Sequence, residues 1–448
     1  MSTKNIDRHR TFIKSTDQHI RELQQRNTNS SSNGSRSAST LPPQQFNLPE
    51  FTGDNENDDD DETNNDQVYR HDEARSSNGR SGPRRQSAGS RRESEGGKNG
   101  SSSGARYQQQ PVCNRFGFIV DQDGDNGVSN LRSFIDDELG DDKQTREQAI
   151  AKILEREKKW LDMVDNWDKW ILSKRFEHMK KRCRKGIPSA VRGKAWFYLS
   201  GGHISLAKYS KFYEKLEREP GDEQVCDEIR KDIHRQFPNH ELFREANGPG
   251  QQSLFNVLKC FSIVRKEISY CQGLAPVASI LLMNMPPSHA FWSLVAITDH
   301  YVPGYYLAGF QAVQLHGKML FGLLKKYAPI SYRILKKAEI DPVLYMFEWF
   351  MCLFVRNLPW ATVLRLWDMF LCEGIVVIFK AAIVILGTTL TSDHKKMDQH
   401  DILHLLKHVP EKELQETIFI PKVLKLNLTD KHLKQEHRRQ LRKKAKGK

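Results

Sequence analysis

The sequence predicts an all-α fold, preceded by a long disordered segment, within its 448 residues. Beyond about residue 112, apolar side chains recur at steps of three and four, which is the spacing of one face of an α-helix. No segment shows a sustained alternation of apolar and polar residues with hairpin turns, as a half-buried β-sheet would. All eight Trp lie beyond residue 112, so we expect one large helical core.

Residues 1–112 are predicted to be a disordered, low-complexity arm. They are rich in Ser, Asn, Gly, Gln, Arg and Asp and contain almost no apolar clusters. Such a segment cannot bury enough apolar surface to offset the conformational entropy lost on ordering. Sixteen Lys and Arg balance sixteen Asp and Glu within it, so the arm carries no net charge.

Ordered structure is predicted to begin near Asn114-Arg-Phe-Gly-Phe-Ile119, with residues 113–185 as a helical lead-in. Apolar residues across 141–178 follow a helical period. The stretch Gly186-Ile-Pro188, followed by Arg192-Gly-Lys-Ala-Trp196, is typical of a helix start, because Pro fits the first turn of a helix.

Further helices are predicted along the rest of the chain. Two of them, over 211–218 and 223–236, are separated by Pro220-Gly221. The same periodicity returns over 254–268, 275–282, 289–297, 319–326, 342–354, 361–372, 375–386 and 398–407.

The positive charge is concentrated at the C-terminal end. The net charge of the chain is +13, and residues 431–448 hold nine Lys and Arg against the single acid Glu436. Residues 113–430 carry only about +5, which does not indicate a nucleic-acid-binding face across the fold. Residues 426–448 are therefore interpreted as a basic tail. It could be a solvated helix end, a nuclear-type basic cluster, or a contact of Lys431–Lys448 with an anionic membrane surface.

The sequence predicts a cytoplasmic protein without a metal site. The N-terminal residues have no apolar secretory core, and the most apolar run, 374–386, is too short for a bilayer and contains Lys380. The seven Cys never form a C-x-x-C pair, which favours reduced thiols. His400, His404 and His408 recur on one helix face, but three successive turns are too long for one tetrahedral ion.

Two short stretches carry the functional signal. Asp232 and Arg235 are three residues apart on a predicted helix, and Tyr270-Cys-Gln272-Gly273 follows about forty residues later. Arginine and glutamine are the side chains that nucleotide hydrolysis uses to neutralise phosphate charge and to orient water. The chain has no G-x-x-x-x-G-K-[ST] phosphate-binding loop, so we expect it to lend both side chains to another protein's nucleotide. An ordinary surface ion pair and a buried, hydrogen-bonded Gln are the alternatives.

In their order and spacing, six motifs resemble the TBC (Tre-2/Bub2/Cdc16) domain of Rab GTPase-activating proteins. They are Gly186-Ile-Pro188, Arg192-Gly-Lys-Ala-Trp196, Ile229-x-x-Asp232-x-x-Arg235 with Phe237-Pro-Asn-His240, Tyr270-Cys-Gln272-Gly273, Glu348-Trp349-Phe350 and Arg365-Leu-Trp367-Asp368. The resemblance makes residues 186–375 the TBC core and 376–425 the C-terminal helices of the same fold. Leu274 stands where the family commonly has Met.

The lead-in is most similar to the branch of this family that binds PDZ scaffolds linked to ezrin. The chain ends Ala-Lys-Gly-Lys448, which is not a carboxyl terminus that a PDZ groove captures. A PDZ scaffold is therefore not expected to bind through the C-terminus.

The resemblance implies that Arg235 is an arginine finger and Gln272 a glutamine finger, both supplied in trans to a Rab GTPase in its GTP form. Asp232 would support Arg235, while Tyr270 and Gly273 would shape the glutamine turn. The protein would then be an activator with no nucleotide site of its own and would regulate vesicle traffic. It would need no cofactor, because GTP and Mg²⁺ belong to the partner.

Other motif residues are predicted to be structural, since buried Trp and helix-borne Arg–Asp pairs more often hold helices together than do chemistry. They are Arg192, Trp196, Trp349, Trp367 and Asp368. Two other functions stay open. One is a catalytically silent TBC module that binds a GTPase or scaffold, and the other is an adaptor that the basic tail recruits to lipid.

Overall fold

A computed structural model describes residues 113–119, 143–172 and 175–446. The predicted disordered arm, residues 1–112, lies outside the described residues. Within them, nineteen α-helices follow one another, together with one π-helical and one 3-10 turn. The only β-type pairings in this part of the chain are isolated bridges, Cys113 with Ile119 and Phe118 with His240. The predicted all-α class is confirmed there.

The first ten helices run from Lys143 to Ala296. They are α1 Lys143–Asp165, α2 Trp167–Leu172, α3 Phe176–Lys185, α4 Ser189–Ser200, α5 Gly202–Lys208, α6 Phe212–Arg218, α7 Glu223–Ile233, α8 Pro249–Val264, α9 Leu274–Leu282 and α10 Pro287–Ala296. The remaining nine are α11 Gln311–Tyr327, α12 Pro329–Lys337, α13 Val343–Met351, α14 Trp360–Glu373, α15 Val376–Thr389, α16 Gln399–Lys407, α17 Glu411–Leu414, α18 Glu416–Lys425 and α19 Asp430–Lys446.

Several predicted helices have different bounds in the structure; the helix predicted over 319–326, for example, spans Gln311–Tyr327. The periodic stretch 141–178 is divided among α1, α2 and α3. The helix predicted over 223–236 ends at Ile233: the next backbone hydrogen bonds, from Arg235 N–H to the Asp232 carbonyl and from Gln236 N–H to the Ile233 carbonyl, span only three residues. Phe237 then takes a left-handed backbone conformation, with φ of +47°. The predicted bounds put Arg235 on the last turn of this helix, but in the structure it lies in the turn that follows the helix.

The core is built around α9, in which every residue is buried. α8 and α10 pack directly against it. α15 is almost as deeply buried and carries Lys380 within its apolar sequence. Among the described residues, no helix has both the length and the apolar character that a membrane crossing needs.

The segment predicted as a basic tail contains a helix of the folded domain. α19 packs against α11 and buries Leu433, Glu436 and Gln440. The Glu436 carboxylate accepts hydrogen bonds of 2.8 Å from both Arg439 Nε and Nη2. Deleting residues 431–448 would therefore expose a packed face of α11, and point substitutions are the sharper test of what the basic residues do.

A buried carboxylate joins the start of the TBC-like motifs to their end. Asp368 on α14 is fully buried. Its Oδ2 accepts from the Ile187 backbone N–H at 2.7 Å, and its Oδ1 accepts from Trp196 Nε1 at 2.8 Å and Arg192 Nε at 3.2 Å. Arg192 also donates to the Ile187 carbonyl. These bonds hold Ile187, in the segment just before α4, and the first turns of α4 against α14.

The two Trp of this network contact each other and extend it. The ring centroids of Trp196 and Trp367 are 5.5 Å apart. Trp367 Nε1 donates to the Leu353 carbonyl at 3.1 Å, in the turn after α13. The network therefore holds the turn that follows Met351, the last residue of α13.

We predict that Asp368→Ala lowers the free energy of unfolding by about 3–5 kcal/mol, because it leaves the buried Arg192 guanidinium unpaired. Asp227→Ala is the matched control, since Asp227 also pairs with an arginine, Arg230, but both side chains are more than half exposed. Its cost should stay below about 1 kcal/mol. Urea unfolding followed by circular dichroism measures both, and equal costs would contradict the role given to Asp368.

Candidate functional site

The candidate site begins at the C-terminal end of α7. Asp222 caps the start of this helix by accepting from the Val225 backbone N–H at 3.1 Å. At the other end, Asp232 is on the last turn, and Arg235 lies two residues beyond Ile233. The Arg235 side chain is 51% exposed, so its guanidinium can be reached from solvent.

One buried carboxylate orients the surrounding side chains. The Asp232 side chain is only 4% exposed. Its Oδ1 accepts from Arg235 Nε, and its Oδ2 accepts from the Tyr270 hydroxyl. Gln236 Nε2 donates to the Asp232 carbonyl at 3.1 Å and lies 3.3 Å from its Oδ1. Because the guanidinium is held through Nε, its two terminal nitrogens face away from Asp232.

The same helix contains an Asp–Arg pair of identical spacing that shows the ordinary alternative. Asp227 and Arg230 form an ion pair with side chains 54% and 56% exposed. Asp232 differs from Asp227 in its burial and in the second donor that it receives from Tyr270. The spacing is therefore the same in both pairs, but only Asp232 holds its arginine from a buried position.

The second stretch brings Gln272 to Arg235. The exposed Gln272 amide faces the two terminal nitrogens of Arg235. Since a guanidinium can only donate, the amide oxygen is the atom that faces it, and it accepts from Nη1 at 2.9 Å and also from Nη2. Ser269, just before this turn, has φ of +57°. The two predicted functional side chains are thus in direct contact.

Gly273 is needed for close packing and not for an unusual backbone conformation. Its φ of −68° is ordinary for any residue. A Cβ at this position would lie 3.2 Å from the Met351 Cβ and 3.3 Å from the Met351 carbonyl oxygen. The structure therefore gives this glycine a close approach to the end of α13.

Two neighbouring side chains, Tyr270 and Cys271, have raised pKa values and therefore stay protonated and neutral. Burial raises the pKa of the Tyr270 hydroxyl, and its hydrogen bond to Asp232 raises it further. Tyr270 therefore remains a donor to the carboxylate. Burial also raises the pKa of the Cys271 thiol, which disfavours the thiolate that a nucleophile would require.

The loop after Arg235 is held by the first described segment of the chain, residues 113–119. The Ile119 backbone N–H donates to the Asn239 carbonyl, and the Glu241 N–H donates to the Gly117 carbonyl, each at 2.8 Å. Residues 113–119 belong to the predicted helical lead-in but are not helical: Cys113 bridges to Ile119, and the segment pairs with the loop through Gly117 and Ile119.

Aromatic packing strengthens this attachment. The Phe118 ring centroid lies 5.2 Å from that of Trp360, 6.2 Å from that of Phe237 and 4.9 Å from that of His240. His240 Nε2 lies 2.9 Å from the Phe116 carbonyl and donates to it. The motif Phe237-Pro-Asn-His240 therefore anchors the arginine loop to residues 113–119 and to α14. The sequence pattern singled out both stretches but did not predict that they contact each other.

The structure divides the predicted residues into two groups. Asp232, Arg235, Tyr270, Gln272 and Gly273 form one cluster, which is buried at Asp232 and Gly273 and opens to the surface at Arg235 and Gln272. The residues predicted to be structural are buried: Arg192, Trp196, Trp367 and Asp368 lie in the network described above, and Trp349 lies on α13 with its ring 5.7 Å from Phe354.

No group of three metal-ligating side chains occurs among the residues that the structure describes. His400, His404 and His408 form a row of rings along one helix face.

The chain is similar in sequence to a domain family and to several named proteins, and similar in fold to a solved structure. The family described as Rab-GTPase-TBC domain matches residues 189–393, which include the whole surface cluster. TBC1 domain family member 10B of Homo sapiens is 50% identical over 292 residues, which are 64% of this chain and 36% of that protein. The chain therefore spans about a third of the length of this relative.

Two further similarities extend this result. TBC1 domain family member whacked of Drosophila melanogaster is 44% identical over 311 residues, which are 68% of this chain and 85% of that protein. A solved structure, the Chlamydomonas flagellar RabGAP TBC domain, aligns with a TM-score of 0.52 at 20% identity, covering 70% of this chain and 100% of that one. The structural likeness shows a common fold.

We predict that Gly117→Ala loosens the arginine loop. Gly117 has φ of +83°, and a Cβ there would lie 2.8 Å from His240 Nε2. The substitution should break the Glu241–Gly117 hydrogen bond, so that the Glu241 amide exchanges at least about tenfold faster in hydrogen-exchange measurements.

Gly309→Ala controls for backbone strain, because Gly309 has φ of +81° but nothing within 4 Å of its Cβ position. It should leave exchange at Glu241 unchanged. If Gly117→Ala also left it unchanged, residues 113–119 would not hold the loop.

Proposed function

The chain belongs to the Rab-GTPase-TBC domain family, and on this basis we propose that it is a GTPase-activating protein for a Rab-type small GTPase in its GTP form. It acts in trans by adding side chains to the partner's active site, and is an activator without a nucleotide site of its own. The observation that supports this most strongly is the contact between Arg235 and Gln272 beside one buried carboxylate.

Arg235 is the arginine finger of this proposal. Its guanidinium is half exposed and is oriented through Nε by Asp232, which leaves Nη1 and Nη2 to bind another acceptor. In the complex, the oxygens of the transferring γ-phosphoryl group become that acceptor, and the positive charge stabilises the negative charge that they carry in the transition state. An arginine supplied in trans typically accelerates GTP hydrolysis by about 10³–10⁵-fold, roughly 4–7 kcal/mol of barrier.

Gln272 is the glutamine finger. Its amide has both a donor and an acceptor, so it can accept from the attacking water and donate to a phosphate oxygen. Gly273 packs against Met351 and so positions this turn on the end of α13. The Tyr270 hydroxyl donates a hydrogen bond to Asp232 and so connects the turn to the end of α7. The free protein keeps the two side chains together through the Arg235–Gln272 hydrogen bonds, and binding exchanges these bonds for bonds to the nucleotide.

Several expectations follow from this proposal. The chain needs no cofactor, because GTP and Mg²⁺ are carried by the partner. It works in the cytoplasm, with transient recruitment to membranes that bear the target GTPase, and it ends the GTP-bound state that promotes vesicle traffic.

Single-turnover GTP hydrolysis by a panel of purified Rab GTPases tests the proposal. The wild-type chain should accelerate at least one of them by about 10³-fold or more, and Arg235→Ala should remove most of that acceleration. Gln272→Ala should lower the rate by roughly 10²-fold or more, because an unoriented water attacks poorly.

The matched control is Arg230→Ala, which removes the arginine of the equally spaced but exposed Asp227–Arg230 pair on α7. It should leave the rate unchanged, and circular dichroism should show that all variants are folded. If no Rab responds but one binds, the chain is the catalytically silent TBC module, and the proposal fails. A rate loss in Arg230→Ala equal to that in Arg235→Ala would also contradict it.

A further inference from the structure

A large open groove lies between α3, α11, the start of α15 and α19. Its volume is about 1610 Å³. None of the residues around Arg235 and Gln272 lines it, so it is separate from the candidate site. Its outer wall is α19, which contains most of the basic residues at the C-terminal end.

The groove is strongly basic. Thirteen Lys and Arg side chains line it, against four Asp and Glu. Two of these acids are already engaged. Glu373 accepts from Arg184 Nε at 2.7 Å and Nη2 at 2.6 Å, with Lys180 at 3.7 Å, and Glu436 is bound by Arg439. The lining therefore carries an excess of positive charge, which attracts anions.

Lys380 supplies a second and independent observation. It is only 8% exposed, although it reaches this groove from the buried helix α15. Within the described part of the chain, no carboxylate lies within ion-pair distance of its ammonium, and the nearby Glu373 is paired with Arg184 and Lys180 instead. A buried ammonium without a partner is costly, and a bound anion would offset that cost.

The surroundings of Lys380 indicate the same need. Burial lowers the pKa of Lys380, Glu373 acts in the opposite direction, and the neighbouring Arg184 and Lys180 lower it further. The positive charges thus repel one another around the inner end of the groove. An acceptor with several anionic oxygens can bind all of them at once.

We propose that this groove binds an anion that carries more than one phosphate group, with Lys380 donating to it from the buried end and Arg442 from the exposed rim. One phosphate would fill only a small part of the volume, and cations lie on the walls formed by α3 and α19. A phosphorylated lipid headgroup and a soluble polyphosphate share this chemistry. The proposal does not depend on GTPase activation, because it concerns binding at a separate surface.

Vesicle binding tests the lipid source with the full chain. Phosphatidylcholine vesicles containing phosphatidylinositol 4,5-bisphosphate are compared with vesicles of equal surface charge containing phosphatidylserine. Lys380→Met should weaken binding to the bisphosphate vesicles by at least about tenfold and leave binding to phosphatidylserine unchanged. Lys396→Gln removes an exposed lysine outside the groove and should match the wild type.

Isothermal titration with pyrophosphate tests the soluble source. Binding of pyrophosphate that Lys380→Met weakens, without binding to the vesicles, would support the site and assign it a soluble ligand. Arg442→Gln serves as a second variant at an exposed position, so that the test stands even if Lys380→Met fails to fold. Wild-type affinity in both variants, binding of neither probe, or equal binding of both vesicle types would overturn the proposal.

Discussion

The candidate site depends on one buried carboxylate, that of Asp232. A side chain that is 4% exposed must have its acceptors filled, because an unpaired buried charge is strongly unfavourable. Here Arg235 and Tyr270 fill them, one from each functional stretch. The electrostatic requirement of a single group therefore brings the end of α7 and the Gln272 turn together. A half-exposed arginine is otherwise free to adopt many rotamers, and its Nε bond to Asp232 restricts them.

The buried helices determine where these two stretches can lie. Asp368 joins the approach to α4 with α14, and Trp367 on α14 holds the Leu353 carbonyl in the turn after α13. The end of α13 then supports the glutamine turn, since Met351 packs so closely that a Cβ at Gly273 would lie 3.2 Å from the Met351 Cβ. The site is thus held by hydrogen bonds and packing on its protein side and exposed on the other, as the proposed electrostatic stabilisation would require.

The sequence predicted the fold class and the proximity of Asp232 to Arg235 better than it predicted the local backbone. Helical periodicity was sufficient for the all-α class, and the three-residue spacing was sufficient to place Asp232 beside Arg235. The end of α7 at Ile233 was not predicted from the periodicity, and the positive φ of Phe237 occurs where its ring contacts Trp360 and Phe118, which are distant in sequence. The packing of the highly polar helix α19 was missed for a similar reason, since few of its side chains are apolar.

The most direct test of this account is single-turnover GTP hydrolysis with Asp232→Asn, at saturating concentrations of the chain over a responsive Rab. The amide keeps the size of the carboxylate but not its charge, so Arg235 should lose its fixed orientation. A misplaced catalytic group can cost roughly 10²-fold in rate. The account predicts a loss of that size with little change in the affinity for the GTP-bound partner and with the fold retained. A saturating rate equal to that of the wild type would contradict it, because Arg235 would then need no buried carboxylate to act.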